Sequence, residues 1–400
     1  MTHALSADQI LARITRQARD EPDSGIVKAA MYGFTVPGVI PLWSGEGNLA
    51  TPELFARPAA EALLNGETFY TWQRGIPELR DALARYHTRS FGRSFDHGNF
   101  FVTSGGMEAI QTIVQMVAGE GDEIIIPAPA WPNYGGTLRI HGSRPVEVPM
   151  DFRNGRWHLD LDRLFDAITP RTKAISLNSP SNPVGWTATR DELIAIRDEC
   201  RKRGLWILGD EVYSRFYYGE RGETRAPSFL DICEDDEQVL LANTFSKNWA
   251  MTGWRVGWLQ APKALGPAIE RIIQVNSSGT PAFLQRGCVA ALEHGDAFLA
   301  EQVARARSNR DLVVQKLGEM DGIRFEVPKG AFYMFFAIEG MTDSEGVVRR
   351  LIDEAKVGFA PGGTFGPGGE GYLRMCYLKD PAKLEEALNR FGDWMKSHHV

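Results

Sequence analysis

The stretch QVLLANTFSKNWAMTGWRVGW, Gln238 to Trp258, decides how this chain is read. Its opening is a near-continuous apolar run, the pattern of a strand buried on both faces. At the strand's exit stand Thr244, Ser246 and Lys247, and Arg255 lies eight residues beyond the lysine. Lysine is rarely buried without a partner or a task. A further apolar run, VGWLQA, follows at once.

Outward from there, DEIIIP (Asp122 to Pro127), RPVEVP, KAISLN (Lys173 to Asn178) and LWILGD (Leu205 to Asp210) read as strands. MEAIQTIVQMVAG, TRDELIAIRDECRKRG and KALGPAIERIIQ read as helices between or beside them. The helix from Thr189 ends in Arg and Lys residues and Gly204, a good C-terminal signature. Alternation of β and α at this spacing predicts an α/β fold with a mostly parallel sheet flanked by helices. The C-terminal part differs. A long helix, FLAEQVARARSNRDLVVQKLGEM, precedes IRFEVP, AFYMFFAI, a helix near Ser344 to Lys356, GYLRMCY and a last helix from Pro381. That pattern predicts a smaller α+β domain over 291–400. A large domain is expected over 49–290, and residues 1–48 are expected to form an N-terminal helix and an arm on the small domain.

Composition is that of an ordinary globular protein: 400 residues, 43% hydrophobic and 24% charged. The net charge of −7 does not favour nucleic acid or an anionic membrane as a partner. No uncharged apolar run approaches transmembrane length. The start, MTHALSADQILARITRQARD, has no apolar core of a secretory signal, so a cytoplasmic protein is expected. Ser6 can cap a helix carrying Ile10, Leu11 and Ile14 on one face. Cys200, Cys233, Cys288 and Cys376 follow no CxxC pattern, which argues against a zinc site or a disulfide framework.

In parallel α/β sheets, ligands bind at the carboxyl ends of the strands. KAISLN ends at Asn178 and runs into SPSNPVG, which holds Asn182. LWILGD ends at Asp210, followed by Glu211 and Tyr213, and a third strand leads to Ser246 and Lys247. FFVTSGGMEAI reads as a strand, the turn Ser104-Gly105-Gly106 and a helix, whose first amides and dipole suit an anion. Each feature alone has an ordinary reading: a turn, a helix cap at Asp210, surface charges at Lys247 and Arg255. One ligand needs all of them. Pyridoxal phosphate requires a lysine amine for its aldehyde and a carboxylate for its pyridine nitrogen. Its phosphate requires amides, hydroxyls and an arginine. Its phenolic oxygen needs a donor, and its ring an aromatic cover.

With these residues in hand, the sequence resembles the class I/II aminotransferases of pyridoxal-phosphate fold type I, the aspartate aminotransferase-like group. SKNWAMTGWRVGW, NSPSNPVG, DEVY, TSGGMEAI, FYTWQRGIPELR, PKGAFYMFF and PGGTFGPGGEGYLRM carry the resemblance, in the family's order, from about Ile26 onward. It implies a large domain with a seven-stranded-type sheet and a homodimer with shared active sites. It implies a ping-pong transfer of an amino group between an L-amino acid and a 2-oxo acid. Lys247 is the implied Schiff-base lysine and proton shuttle, its pKa lowered by desolvation and by Arg255. Asp210 pairs with the ring nitrogen, Asn182 and Tyr213 donate to the phenolic oxygen, and Trp131 stacks on the ring. Ser104, Gly105, Gly106, Thr244 or Ser246, and Arg255 hold the phosphate, which Tyr70 reaches from the neighbouring subunit. Arg374 grips the substrate α-carboxylate, and Gly45 marks a loop closing over substrate, where Asn182 and Trp131 also face.

Gln274 and Met107 stand where aspartate-preferring relatives carry cationic residues, so strict aspartate specificity is not implied. Arg74 is either a reader of a distal carboxylate or an interface arginine, with Trp72, Phe332 and Tyr333 as further pocket candidates. A same-fold lyase or synthase, such as a C–S lyase or an aminocyclopropane-carboxylate-type synthase, shares the cofactor residues. SPSNPVGWT lacks the C–S lyase pattern and favours transamination. A ligand-sensing regulator of this fold would carry a DNA-binding domain, for which the residues before the matched region are too few.

Overall fold

Apart from the edge run RPVEVP, where only Val148 is buried, the apolar runs become strands buried along most of their length, in a computed structural model that describes residues 5–219 and 222–398. Seven form one sheet: β1 (Phe100–Thr103), β2 (Glu123–Ala128), β3 (Arg144–Pro149), β4 (Thr172–Asn178), β5 (Trp206–Asp210), β6 (Val239–Thr244) and β7 (Gly257–Gln260). Their spatial order is β1-β7-β6-β5-β4-β2-β3. The strands from β6 across to β3 run parallel, and β7 runs antiparallel to both of its neighbours. The sheet is therefore mixed. Only residues 245–256 separate β6 from β7, with no covering helix long enough for a parallel crossover, so the chain turns straight back.

Helices cover the sheet as their periodicity dictates. Gly106–Val117 buries Ala109, Ile110, Ile113 and Val114 against it and exposes Gln111 and Gln115. Arg190–Arg203 opens with the reciprocal capping box of Thr189 and Glu192 and stops at Gly204, whose φ of 66° suits a residue without a Cβ. Full burial of each such aliphatic side chain contributes on the order of 1.5–3 kcal/mol. Truncating Ile113 to alanine should therefore cost about 2–5 kcal/mol.

A second, antiparallel sheet has the order β8-β9-β11-β10, from β8 (Ile323–Phe325), β9 (Tyr333–Ile338), β10 (Ala360–Pro361) and β11 (Tyr372–Cys376). The helices Asp296–Gly318 and Pro381–Ser397 accompany it. Ile40–Pro41 pairs with Val357–Gly358 beside this sheet. The Leu42 amide donates to the Gly358 carbonyl at 2.7 Å, and the Leu42 carbonyl accepts from the Cys376 amide at 2.8 Å. The arm is thus sewn onto the second sheet by backbone bonds.

The N-terminus departs from expectation. Ser6 does cap a helix, but that helix spans only Ala7–Leu11, and Ile14 lies beyond it. Thr15 caps a separate helix, Arg16–Asp20, with its side chain accepting from the Ala18 amide. A threonine hydroxyl competes for backbone donors in this way and favours a new start over continuation. Ile10, Leu11 and Ile14 are all exposed. Residues 1–4 of the stretch read for a signal lie outside the described residues. Among the described residues no helix is long and apolar enough to cross a membrane.

Candidate active site

Sheet register brings the polar strand ends to one rim. Asn178 stands opposite Asp210, Asp210 opposite Ala242, and Thr244 opposite Gly257. Asn178 then organises the next loop. Its amide donates to the Asp210 carbonyl at 3.0 Å, and its side-chain oxygen accepts from the Asn182 amide at 2.7 Å. Asp210 caps no helix; a turn follows it, and its carboxylate accepts weakly from the Val212 amide at 3.4 Å.

A cavity of about 280 Å³ opens above this rim. On its floor are Lys247, Asp210, Tyr213 and Asn182, and Arg374 and Gly45 line it from the smaller sheet and the arm. Gly106, Thr244, Ser246 and Arg255 line another part, and Trp131 forms a wall. Ser104, Gly105 and Tyr70 do not line it. Ser104 spends its amide on the Glu108 carboxylate. Gly105 instead makes room for Arg255. A Cβ there would fall 2.4 Å from Nη2 of Arg255, and φ at Gly105 is 87°. Only glycine lets the guanidinium lie against the start of helix Gly106–Val117. Tyr70 is 94% exposed on this chain, away from the cavity.

Lys247 Nζ donates to the Gly45 carbonyl at 2.8 Å. Burial is the main cause lowering its pKa to about 8; Arg374 lowers it further, and Cys376, Glu46 and Asp210 oppose the shift. The cation that acts on the lysine is therefore Arg374 of β11, not Arg255 as the sequence suggested; the Arg255 guanidinium turns toward Gly105 and the Thr252 carbonyl. Burial pushes Asp210 up to about 6, against the Val212 amide and Lys247. Glu211 points elsewhere, onto the Ser228 hydroxyl and Phe229 amide.

Arg374 is 2% exposed. It donates to Asn182 Oδ1 at 2.9 Å and to the Trp43 carbonyl, while its Nε, buried, has no partner among the described residues. Its Cζ sits 4.6 Å from the Tyr333 ring centroid and 5.1 Å from that of Phe365. Tyr333 also lines the cavity, whereas Phe332 is buried against Phe216 and Tyr213. Asn178, Ile26, Met107, Ile110 and Val212 complete the lining; Ile26 and Ile110 belong to apolar helix faces whose sequence signal is that of core, whereas Met107 and Val212 stand within the turn and DEVY motifs. Arg74 stays outside, its guanidinium paired with Glu270 at 2.5 Å and lying over Phe101. Trp72 is largely exposed. No group of acidic, His or Cys side chains able to hold a metal occurs among the described residues.

A lysine, a carboxylate and an arginine gathered over the carboxyl ends of this sheet define the fold type I class of pyridoxal-phosphate proteins, and the comparisons agree. The family model "Aminotransferase class I and II" matches residues 38–391. The aspartate aminotransferase of Pyrococcus horikoshii is 34% identical over 88% of this chain and 89% of its own length. The aromatic-amino-acid aminotransferase 2 of Thermococcus litoralis is 34% identical over 90% of this chain and 92% of its own. The solved alanine aminotransferase of Pyrococcus furiosus superposes with a TM-score of 0.90 at 28% identity, covering 96% of this chain and 100% of that one. The chain belongs to the class I and II aminotransferase family, and its activity is amino-group transfer.

Proposed function

We propose that this enzyme binds pyridoxal phosphate at Lys247 and moves the amino group of an uncharged L-amino acid to a 2-oxo acid by a ping-pong route. The observation that carries the reading is the convergence of Lys247, Asp210 and Arg374 on one cavity. The chemistry of the donor set fits the cofactor. Asp210 is a buried carboxylate short of partners, suited to a protonated ring nitrogen. The Gly105 cradle places Arg255 at a helix start suited to a phosphate.

When bound, the cofactor supplies an aldehyde that condenses with amines and a ring that accepts an electron pair from the substrate Cα. Everything else falls to the chain. With a pKa near 8, roughly a tenth of Lys247 is neutral at pH 7, able to take a proton from Cα and return it. Asp210 would hold the ring-nitrogen proton, and Asn182 and Tyr213 would donate to the phenolic oxygen. Arg255, the helix start at Gly106, Thr244 and Ser246 would hold the phosphate, with Ser104 and Gly105 shaping the turn behind them. Trp131 would cover the ring. Arg374 would take the α-carboxylate bidentately in exchange for its present oxygen partners.

The rest of the lining argues for an uncharged side chain. Among the described residues, the cavity's cations are Lys247, Arg255 and Arg374, all with tasks, and the remainder includes Ile26, Met107, Ile110 and Trp131. A second carboxylate there would be buried without a partner. The reading includes a homodimer that brings Tyr70 to the neighbour's site: Leu64, Phe69, Tyr70 and Val275 are each at least 84% exposed, more apolar surface than a free face explains. The four free cysteines suit a reducing compartment such as the cytoplasm. Two separate sheets support division near residues 48 and 290.

The test is a visible spectrum of the protein with pyridoxal phosphate, followed on adding single amino acids without acceptor. Loss of the visible band, restored by a 2-oxo acid, supports the reading, with alanine or an aromatic donor faster than aspartate. A band that persists while ammonia or thiol accumulates moves the enzyme to the lyase reading.

A further inference from the structure

Tyr333 lines the cavity, yet the scheme above gives it nothing to do. It comes from the run AFYMFF, whose aromatic neighbours fill the core. Its hydroxyl lies 2.8 Å from that of Tyr213, and the rings meet edge to face with centroids 5.5 Å apart. The Arg374 guanidinium covers one face of the Tyr333 ring. The arm closes over the hydroxyl, since a Cβ at Gly45 would fall 2.2 Å from it. Tyr213 is the hydrogen-bond partner of the Tyr333 hydroxyl among the described residues.

A phenol has one proton to give. If Tyr213 gave its proton to Tyr333, none would be left for an oxygen in the cavity. If Tyr333 is the donor, Tyr213 accepts and keeps its own proton free. Arg374 favours the second arrangement, because a cation over the ring draws charge from the hydroxyl and strengthens it as a donor.

We propose that Tyr333 is a positioning residue that donates to the Tyr213 hydroxyl oxygen and so directs the Tyr213 proton at the phenolic oxygen of pyridoxal phosphate. The inference rests on the cofactor reading. The charged and titratable groups facing the pair are Asp210 of β5, Arg374 and Cys376 of β11, and Lys247 after β6. The Lys247 Nζ lies 5.8 Å from the Tyr213 ring centroid, farther than Arg374 from the Tyr333 ring, and is taken up by the cofactor in the loaded protein. Burial holds both phenols above their ordinary range, so each keeps its proton across neutral pH.

The experiment is a pH titration of the cofactor's visible band in the loaded protein, for the parent, Tyr333→Phe, Tyr213→Phe and the double variant. Tyr333→Phe keeps the ring on Arg374 and removes only the donor. Weaker donation to the phenolic oxygen destabilises its anionic form, so the midpoint should rise by about 0.5–1 pH unit. The rise should vanish in the Tyr213→Phe background. No rise in the parent background, or an equal rise in both, overturns the proposal. Should Tyr333→Phe not fold, Gly45→Ala displaces the same hydroxyl from outside; an unmoved midpoint there also overturns it. A parent that takes up no cofactor overturns the cofactor reading as well, whereas a coloured parent with an unmoved midpoint overturns this inference alone.

Discussion

The amine of Lys247 is bonded to the backbone carbonyl of Gly45, a residue 202 positions away, across 2.8 Å. Gly45 meets the site on two sides, with its carbonyl on the lysine and its Cα against the Tyr333 hydroxyl. Alanine at this position has no room. Gly45→Ala should lift the arm, raise KM for the amino donor several-fold, and destabilise the fold by about 1–3 kcal/mol. Steady-state kinetics and thermal unfolding check both; an unchanged KM would mean the arm does not border the substrate.

Only the neutral form of Lys247 attacks an aldehyde. Its pKa is lowered to about 8, so the neutral fraction rises with pH, reaches half at that value and levels off roughly a unit above it. The rate of pyridoxal phosphate uptake by the apoprotein should follow the same curve. Stopped-flow absorbance at a series of pH values measures it. Lys247→Ala should show no such phase and lose about 10²–10⁴ in turnover.

Asp210 links the site to stability. Its folded pKa, about 6, lies above its ordinary value of 3.8 because burial penalises the charge. Its contribution to stability is therefore fully present below about pH 3.8 and lost as pH rises through 6. Apo Asp210→Asn should be more stable than apo parent at pH 8, by on the order of 1–3 kcal/mol. The gap should close toward pH 4. Denaturant melts at the two pH values test this, and a gap independent of pH would exclude it.

Arg74 is committed to Glu270 in a partly exposed pair. Arg74→Ala should leave the ratio of glutamate to alanine rates unchanged and cost no more than about 1 kcal/mol. A selective fall in the glutamate rate would instead make it a reader of the distal carboxylate.

Phe69 and Tyr70 are 84% and 94% exposed. Phe69→Glu should shift sedimentation toward monomer and reduce activity in proportion, because Tyr70 would no longer reach a neighbour. A fully active monomer would remove the shared-site reading.

The sequence carried much of this because strand ends are punctuation. Asn178 and Asp210 end apolar strands, and Lys247 lies three residues past the end of another, so their convergence required little beyond a parallel register. Contacts between the two sheets were not legible. Nothing local joins Arg374 to Lys247, so the sequence offers only Arg255, eight residues away, as the lysine's cation. Phe332 and Tyr333 both sit inside AFYMFF as pocket candidates in a run whose composition says core, and only the fold separates them, bringing Tyr333 to the cavity and leaving Phe332 in the core. The reversal of β7 and the break after Leu11 depended on how short connections and a competing threonine resolve.

The arm has a further consequence. Trp43 lends its carbonyl to Arg374, and Gly45 lends its carbonyl to Lys247. Two oxygens of one short backbone segment thus imitate ligand oxygens on both cations. At Lys247 the cofactor would displace the main-chain oxygen, and at Arg374 the substrate carboxylate would, so the count of hydrogen bonds on Arg374 barely changes on substrate binding. Affinity from those bonds is small, and discrimination passes to the side-chain walls, where no such stand-in exists.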